Sequence, residues 1–86
     1  MPSLPVISGK SLIALLQKNG WVIKRFATHG CSLSKYDKDS DKNLVTVIPN
    51  TSDDLPPGTL MDILGMKQTR IGKAGLIKLL EKDSSG

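Results

Sequence analysis

The sequence predicts a small α+β domain, in which helices cover one face of a three-stranded antiparallel sheet and leave the other face open. Apolar residues near the N-terminus recur at helical spacing, three β-rich runs separated by polar turns fill the middle of the chain, and Pro56-Pro57-Gly58 introduces a second helical stretch. At 86 residues and 9.3 kDa the chain is shorter than the usual domain of about 100–150 residues, so we predict a single domain over residues 1–86.

The first predicted element is a helix over residues 8–19. Its apolar positions are Leu12, Ile13, Leu15 and Leu16. These positions share one helical face, and the opposite face is polar. Ser8 is placed to cap the start of the helix, and the Asn19-Gly20 pair is typical of its end.

Three strands are predicted next, over residues 21–26, 31–36 and 44–48, because these runs are rich in β-branched and aromatic residues or alternate apolar with polar ones. The polar segment between the second and third runs is predicted to form a hairpin tip. Trp21 is expected in the core, since the chain has few large side chains to fill its centre. The place of Cys31 in a strand pattern favours a small core residue over a nucleophile.

Two helices are predicted after residue 56. Leu60, Ile63 and Leu64 lie at helical spacing within residues 59–64, and a last helix is predicted to follow a Thr69 cap and to end at Glu81. The resulting order, α-β-β-β-α-α, is the layout of double-stranded-RNA-binding domains, although a fold by itself does not fix a function.

Charge and cysteine content limit the classes of function. Twelve Lys and Arg against eight Asp and Glu give a net charge of +4 and a pI near 9.4, which favours an anionic partner such as nucleic acid. The single cysteine excludes an intrachain disulfide and no run reaches about 18 apolar residues, so we expect a cytoplasmic protein. No metal is predicted, because one His and one Cys cannot form a four-ligand site and the acidic run at residues 37–41 lacks the glycine and distal glutamate of a calcium loop. No cofactor is predicted either, because the glycines fit neither a P-loop nor a dinucleotide-binding fingerprint.

His29 is the only histidine, and it lies in the turn between the first two predicted strands. Histidine transfers protons near neutral pH without a cofactor. RNA cleavage needs only such acid–base help, because RNA brings its own nucleophile, the 2′-hydroxyl. The residues alone leave a second interpretation open, in which His29 is a solvated turn residue with no catalytic role.

Basic residues flank this turn in the sequence. Lys24 and Arg25 precede it, and Lys35 follows it on the next predicted strand. We expect them to bind phosphates, which adds affinity without sequence recognition, although solubilising charge explains them equally well. The role of Tyr36 stays open here, because strand pairing decides whether its hydroxyl lies near the turn.

Three stretches of the chain form a recognisable pattern. They are L-P-V-I-S-G-K-S-L-I-A-L-L-Q-K-N-G-W at residues 4–21, Thr28-His29, and V-T-V-I-P-N followed by the L-P-P-G-T-L-M-D-I-L that ends at residue 64. With these stretches the chain resembles the HicA family of toxins, which are small bacterial, archaeal and phage-borne mRNA interferases. The active histidine of the family lies in a Gly-Ser-His motif after the first strand, which falls on Ala27-Thr28-His29. Ala27 thus replaces a glycine, and it is strained by about 1 kcal/mol or more if the backbone of that glycine is left-handed.

The resemblance implies a toxin that cleaves mRNA in the cytoplasm and halts translation until a HicB-like antitoxin covers His29. It also implies an α-β-β-β-α fold of the double-stranded-RNA-binding type. In that picture His29 is the general acid or base, and Thr28 positions the histidine or the scissile phosphate. The candidate phosphate ligands are Lys24, Arg25 and Lys35. They are chosen for their spacing from His29 in the sequence and not for any motif of the family.

A competing interpretation is a non-catalytic RNA-binding or antitoxin-binding module. It is motivated by Ala27 and by Met61 and Asp62, which stand where the family commonly carries a basic residue. Such a module binds RNA in a salt-sensitive way without cutting it. A structural domain whose charge only aids solubility is a third interpretation.

Overall fold

The computed structural model describes residues 4–28 and 30–85, and it confirms the α+β class and the predicted order of elements. Helix α1 spans Gly9–Lys18, strands β1, β2 and β3 span Val22–Phe26, Cys31–Asp37 and Lys42–Ile48, and helices α2 and α3 span Pro57–Leu64 and Gly72–Ser85. The strands form one antiparallel sheet in the order β1-β2-β3.

Helix α1 begins where the sequence predicts. The hydroxyl of Ser8 accepts a hydrogen bond from the backbone N–H of Ser11 at 3.1 Å, so the cap is confirmed. A Cβ atom built on Gly9 would lie 1.8 Å from the carbonyl oxygen of Pro49, which leaves no room for a side chain at this position. The N–H of Lys10 also donates to the carbonyl of Thr51 at 2.9 Å. The start of α1 is therefore held against the loop that follows β3.

The core lies between the helices and the inner face of the sheet. Its buried apolar side chains are Ile7, Leu12, Ile13, Leu15, Leu16, Trp21, Cys31, Leu33, Ile48, Leu55, Leu60, Ile63, Leu64 and Leu76. Both core predictions for single residues are confirmed, because Trp21 and Cys31 belong to this set. Burial of these apolar groups is the main force that holds the helices on the sheet.

The other face of the sheet has no helix on it. We call it the open face; it carries Val22, Arg25, Ser32, Ser34, Tyr36, Asn43, Val45 and Val47. The alternation along β3 shows the two faces directly, since Thr46 and Ile48 are buried whereas Val45 and Val47 are at least half exposed. An exposed valine row of this kind on a small protein is typical of a surface that binds another molecule.

The hairpin between β2 and β3 is tighter than the sequence predicts. Asp37 pairs with Lys42, so both strands extend into the polar segment that was predicted to be the tip. Asp41 closes the turn with a φ of 53°, a left-handed conformation that Asp tolerates better than most residues.

The predicted limits of the last helix are wrong. Thr69 does not cap it, because its hydroxyl donates to the carbonyl of Ile63 at 2.7 Å and its side chain is buried. Thr69 thus closes the end of α2, and α3 begins only at Gly72. The helix also continues past Glu81, and Asp83 in its last turn pairs with Lys18 at 2.7 Å.

Candidate functional site

The connection between β1 and β2 is a tight turn at the end of the sheet. The N–H of Ala27 donates to the carbonyl of Gly30 at 2.9 Å, and the N–H of Gly30 donates back to Ala27 at 3.4 Å. Thr28 is exposed in this turn, and His29 lies outside the described residues. A Cβ built on Gly30 would lie 3.1 Å from a methyl carbon of Val47, so the turn packs closely against the open face at β3.

Ala27 is not strained in this turn. Asp41 and Arg70 are the residues other than glycine that have a positive φ within the described part of the chain. The condition under which alanine was expected to be strained therefore does not hold. The replacement of a motif glycine by Ala27 costs the backbone nothing in this conformation.

Lys24 and Arg25 lie in an irregular part of β1. Ile23 pairs with Leu33 and Arg25 pairs with Ser32, so Lys24 is an extra residue that forms a β-bulge. Arg25 shares the open face with Ser32, because paired residues point to the same side of a sheet. Both cations are exposed, and neither forms an ion pair with a residue that the structure describes. Their charges are available to an anionic ligand close to the turn.

The structure does not bring Lys35 to the same surface. Lys35 lies four residues along β2 from Cys31, which is about 13 Å at the usual rise of a strand. It alternates with the open-face residues and faces the helices, where its ammonium group donates to the carbonyl of Asn19 at 3.1 Å. Lys18 is also unavailable near the turn, since it pairs with Asp83.

Two other candidate side chains are now placed. Cys31 is fully buried at the start of β2, and burial raises the pKa of its thiol, which disfavours the reactive thiolate. Tyr36 lies at the far end of β2 from the turn, on the open face. Its hydroxyl hydrogen-bonds the carboxylate of Asp41, and this bond is the main cause that raises the pKa of Tyr36. The length of β2 therefore separates Tyr36 from the β1–β2 turn.

Sequence reasoning missed Arg70, which the structure places in a left-handed conformation beside Asp37. No sequence pattern reports a positive φ at an arginine, and the two partners are 33 residues apart. No group of three or more His, Cys, Asp or Glu side chains within the described ranges is arranged to hold a metal ion. None of the helices formed by those residues is both long and apolar enough to cross a lipid bilayer.

Comparison with known proteins identifies the family. A family model described as the HicA toxin of bacterial toxin–antitoxin systems matches residues 9–71, which include α1, the whole sheet and α2. Neither the curated proteins nor the solved structures contain a match to the chain. The matched region covers well over half of the 86 residues and includes the β1–β2 turn with Ala27 and Thr28. The chain therefore belongs to the HicA family, the toxins of bacterial toxin–antitoxin systems.

Proposed function

We propose that residues 1–86, as a single HicA-like domain, form an endoribonuclease that cleaves mRNA in the cytoplasm, with His29 as its general acid or base. The observation that carries the proposal is the β1–β2 turn. The segment that contains the family's histidine follows two exposed cations, Lys24 and Arg25, which form no ion pair with any residue that the structure describes. A phosphodiester bound by these cations would lie beside the one side chain in the chain that ordinarily transfers protons near neutral pH.

The chemistry needs no group other than RNA and a proton-transfer side chain. The 2′-oxygen of the ribose attacks the adjacent phosphorus, and its proton goes to a base. The bond between phosphorus and the 5′-oxygen breaks, and that oxygen takes up a proton and leaves as a hydroxyl. Imidazole is suited to either transfer, and in this proposal the hydroxyl of Thr28 positions the phosphate or the histidine.

The cations have separate tasks in this proposal. Lys24 and Arg25 hold the phosphates next to the scissile bond, because both are exposed close to the turn. Their attraction also stabilises the extra negative charge that develops on the phosphoryl oxygens during the attack. Lys35 binds RNA farther along the sheet, since its position on β2 prevents contact with the same phosphate.

A toxin of this family has a cognate antitoxin, and we propose a HicB-like protein that covers both the turn and the open face. The open face is continuous with the turn, since a Cβ atom built on Gly30 would lie 3.1 Å from a methyl carbon of Val47. It offers exposed valines together with one cation, Arg25, and carries no carboxylate among its own side chains. An antitoxin surface of apolar side chains with a carboxylate for Arg25 would complement it.

Val45, an exposed valine in the middle of the edge strand β3, supplies a test of antitoxin binding. We expect Val45→Asp to weaken antitoxin binding by at least about 100-fold, because a desolvated carboxylate in an apolar contact is costly. Val6→Asp is the control, since Val6 is more exposed than Val45 but lies outside the sheet. Calorimetric titration of each variant with the antitoxin measures the difference. Equal affinities for the two variants would place the antitoxin elsewhere.

Cleavage in the presence of a chelator tests the proposed function itself. Purified protein is incubated with mRNA in excess chelator, and the length of the RNA is followed over time. We expect fragments to accumulate at the rate seen without chelator, and we expect stoichiometric antitoxin to stop them. RNA that stays intact while it binds the protein in a salt-sensitive way would instead support the non-catalytic module.

A further inference from the structure

A second cleft lies at the opposite end of β2 from the β1–β2 turn. It has a volume of about 390 Å³ and separates the β2–β3 hairpin from the segment that joins α2 to α3. Its apolar wall is formed by Leu44, Met66 and Ile71, with Trp21 at the edge of the core. Lys35 and Arg70 supply two cations to the same cleft. The volume is that of a small-molecule site, and the lining combines apolar contact with positive charge.

Arg70 is held in this cleft by its backbone. Its φ of 61° is unfavourable for an arginine, and it persists because the N–H of Arg70 donates to the carbonyl of Gly65 at 3.0 Å. The side-chain Nε donates to the carbonyl of Met66 at 2.9 Å. These bonds fix the direction of the guanidinium group and leave its Nη1 atom 3.5 Å from the Oδ2 atom of Asp37. An arginine fixed in this way loses little conformational freedom when it binds a phosphate.

The charged lining of the cleft is balanced, with Lys35 and Arg70 against Asp37 and Asp39, so the case for an anion depends on which of these groups keep free donors. Asp37 is already engaged, since hydrogen bonds from Ser40 and the backbone, with the charge of Arg70, lower its pKa. Lys35 uses one of its donors on Asn19 and keeps the others. The segment of residues 66–80 carries four cations and no acidic residue. The remaining carboxylate, Asp39, is suited to accept a hydrogen bond from the amino group of a base.

We propose that this cleft is a second ribonucleotide subsite of the enzyme. A base of single-stranded RNA packs on Met66 and Leu44, and its phosphate lies between Lys35 and Arg70. The subsite is about 13–20 Å along β2 from the turn, at about 3.3 Å per residue, so the RNA is held at two points several nucleotides apart. Lys24, which bulges from the edge strand β1, lies between those points.

This inference rests on the proposal that RNA is the substrate, so its test is made without cleavage. The His29→Ala protein is titrated with an eight-nucleotide single-stranded RNA, and the emission of Trp21, the only tryptophan, is recorded together with fluorescence anisotropy. The test variant adds Arg70→Gly, because glycine adopts the observed φ without strain and removes the guanidinium. The control variant adds Lys78→Gln, which removes one exposed charge of α3 outside the cleft.

We expect RNA to change the emission of Trp21, and we expect Arg70→Gly to weaken RNA binding about tenfold. Loss of one phosphate contact should also lower the slope of log affinity against log salt by about 0.7. In the Lys78→Gln control, the RNA affinity and the salt slope should both stay near those of the His29→Ala protein. Equal RNA affinities for the Arg70→Gly and Lys78→Gln variants, or unchanged emission of Trp21 at saturating RNA, would overturn the proposal of a second subsite. The two proposals can fail separately. If RNA changes the emission of Trp21 but the wild-type protein does not cleave RNA, the proposed function is wrong and the second subsite is still supported.

Discussion

His29→Ala is expected to lower the rate of RNA cleavage by about 10²–10⁴-fold, the usual contribution of a positioned general acid or base. The affinity for RNA should not change with it, because Lys24, Arg25 and the other cations that hold the phosphates remain. Stability should change little as well. The core is formed by apolar side chains of the helices, the inner face of the sheet and the segments that join them, all within the described residues.

The measurement separates the chemical step from binding. Single-turnover cleavage at saturating protein gives the rate constant, and anisotropy with a non-cleavable RNA gives the dissociation constant. Arg25→Gln is the matched control, since it should weaken binding at any RNA sequence and reduce the salt dependence. A His29→Ala protein that is folded by circular dichroism and cleaves RNA at the wild-type rate would remove His29 from the mechanism.

Gly9→Ala is expected to destabilise the protein by about 3 kcal/mol or to prevent folding, which is the upper range for overpacking a tight contact. The added methyl group would meet the carbonyl oxygen of Pro49 at 1.8 Å, and a backbone atom cannot rotate away as a side chain does. The loop cannot retreat freely either, because the carbonyl of Thr51 is bonded to the N–H of Lys10. Separation of α1 from the loop would open the core at the edge of the sheet.

Gly58→Ala is the matched control for this substitution. Gly58 lies in the first turn of α2, and no atom lies within 4 Å of a Cβ built on it. Alanine also favours the helix, so the variant should be unchanged or more stable by up to about 1 kcal/mol. Urea denaturation of both variants checks the pair. If Gly9→Ala were as stable as Gly58→Ala, α1 would not be packed against the loop after β3.

Signals between residues close in sequence were sufficient to predict the N-terminal part of the fold. Ser8 and the Asn19-Gly20 pair gave the limits of α1, because capping depends on residues close in sequence. The burial of Trp21 and Cys31 followed from the scarcity of large apolar residues and from strand alternation. The start of α3 was harder to predict. Thr69 donates a hydrogen bond back to the carbonyl of Ile63, and in sequence a threonine that closes one helix cannot be told from a threonine that caps the next helix.

The site was predictable only where it depends on a continuous stretch. Residues 24–29 are adjacent in the chain, so their grouping near one turn required no knowledge of pairing. Lys35 was grouped with them on proximity in sequence, and strand direction carries it to the other end of β2 and to the opposite face. The second cleft combines Trp21, Lys35 and Arg70 from three distant segments, and no spacing rule relates them.

The chemical ends of the RNA fragments distinguish attack by the 2′-oxygen of the RNA from attack by water. Attack by the 2′-oxygen, with proton transfer at His29, leaves a 2′,3′-cyclic phosphate on one fragment and a 5′-hydroxyl on the other. The wild-type protein is incubated with RNA in excess chelator, and the ends are identified by mass spectrometry. We expect cyclic phosphate ends, together with no cleavage of an RNA whose 2′-hydroxyls are methylated. Fragments with 5′-phosphate ends, or cleavage of the methylated RNA, would exclude this mechanism.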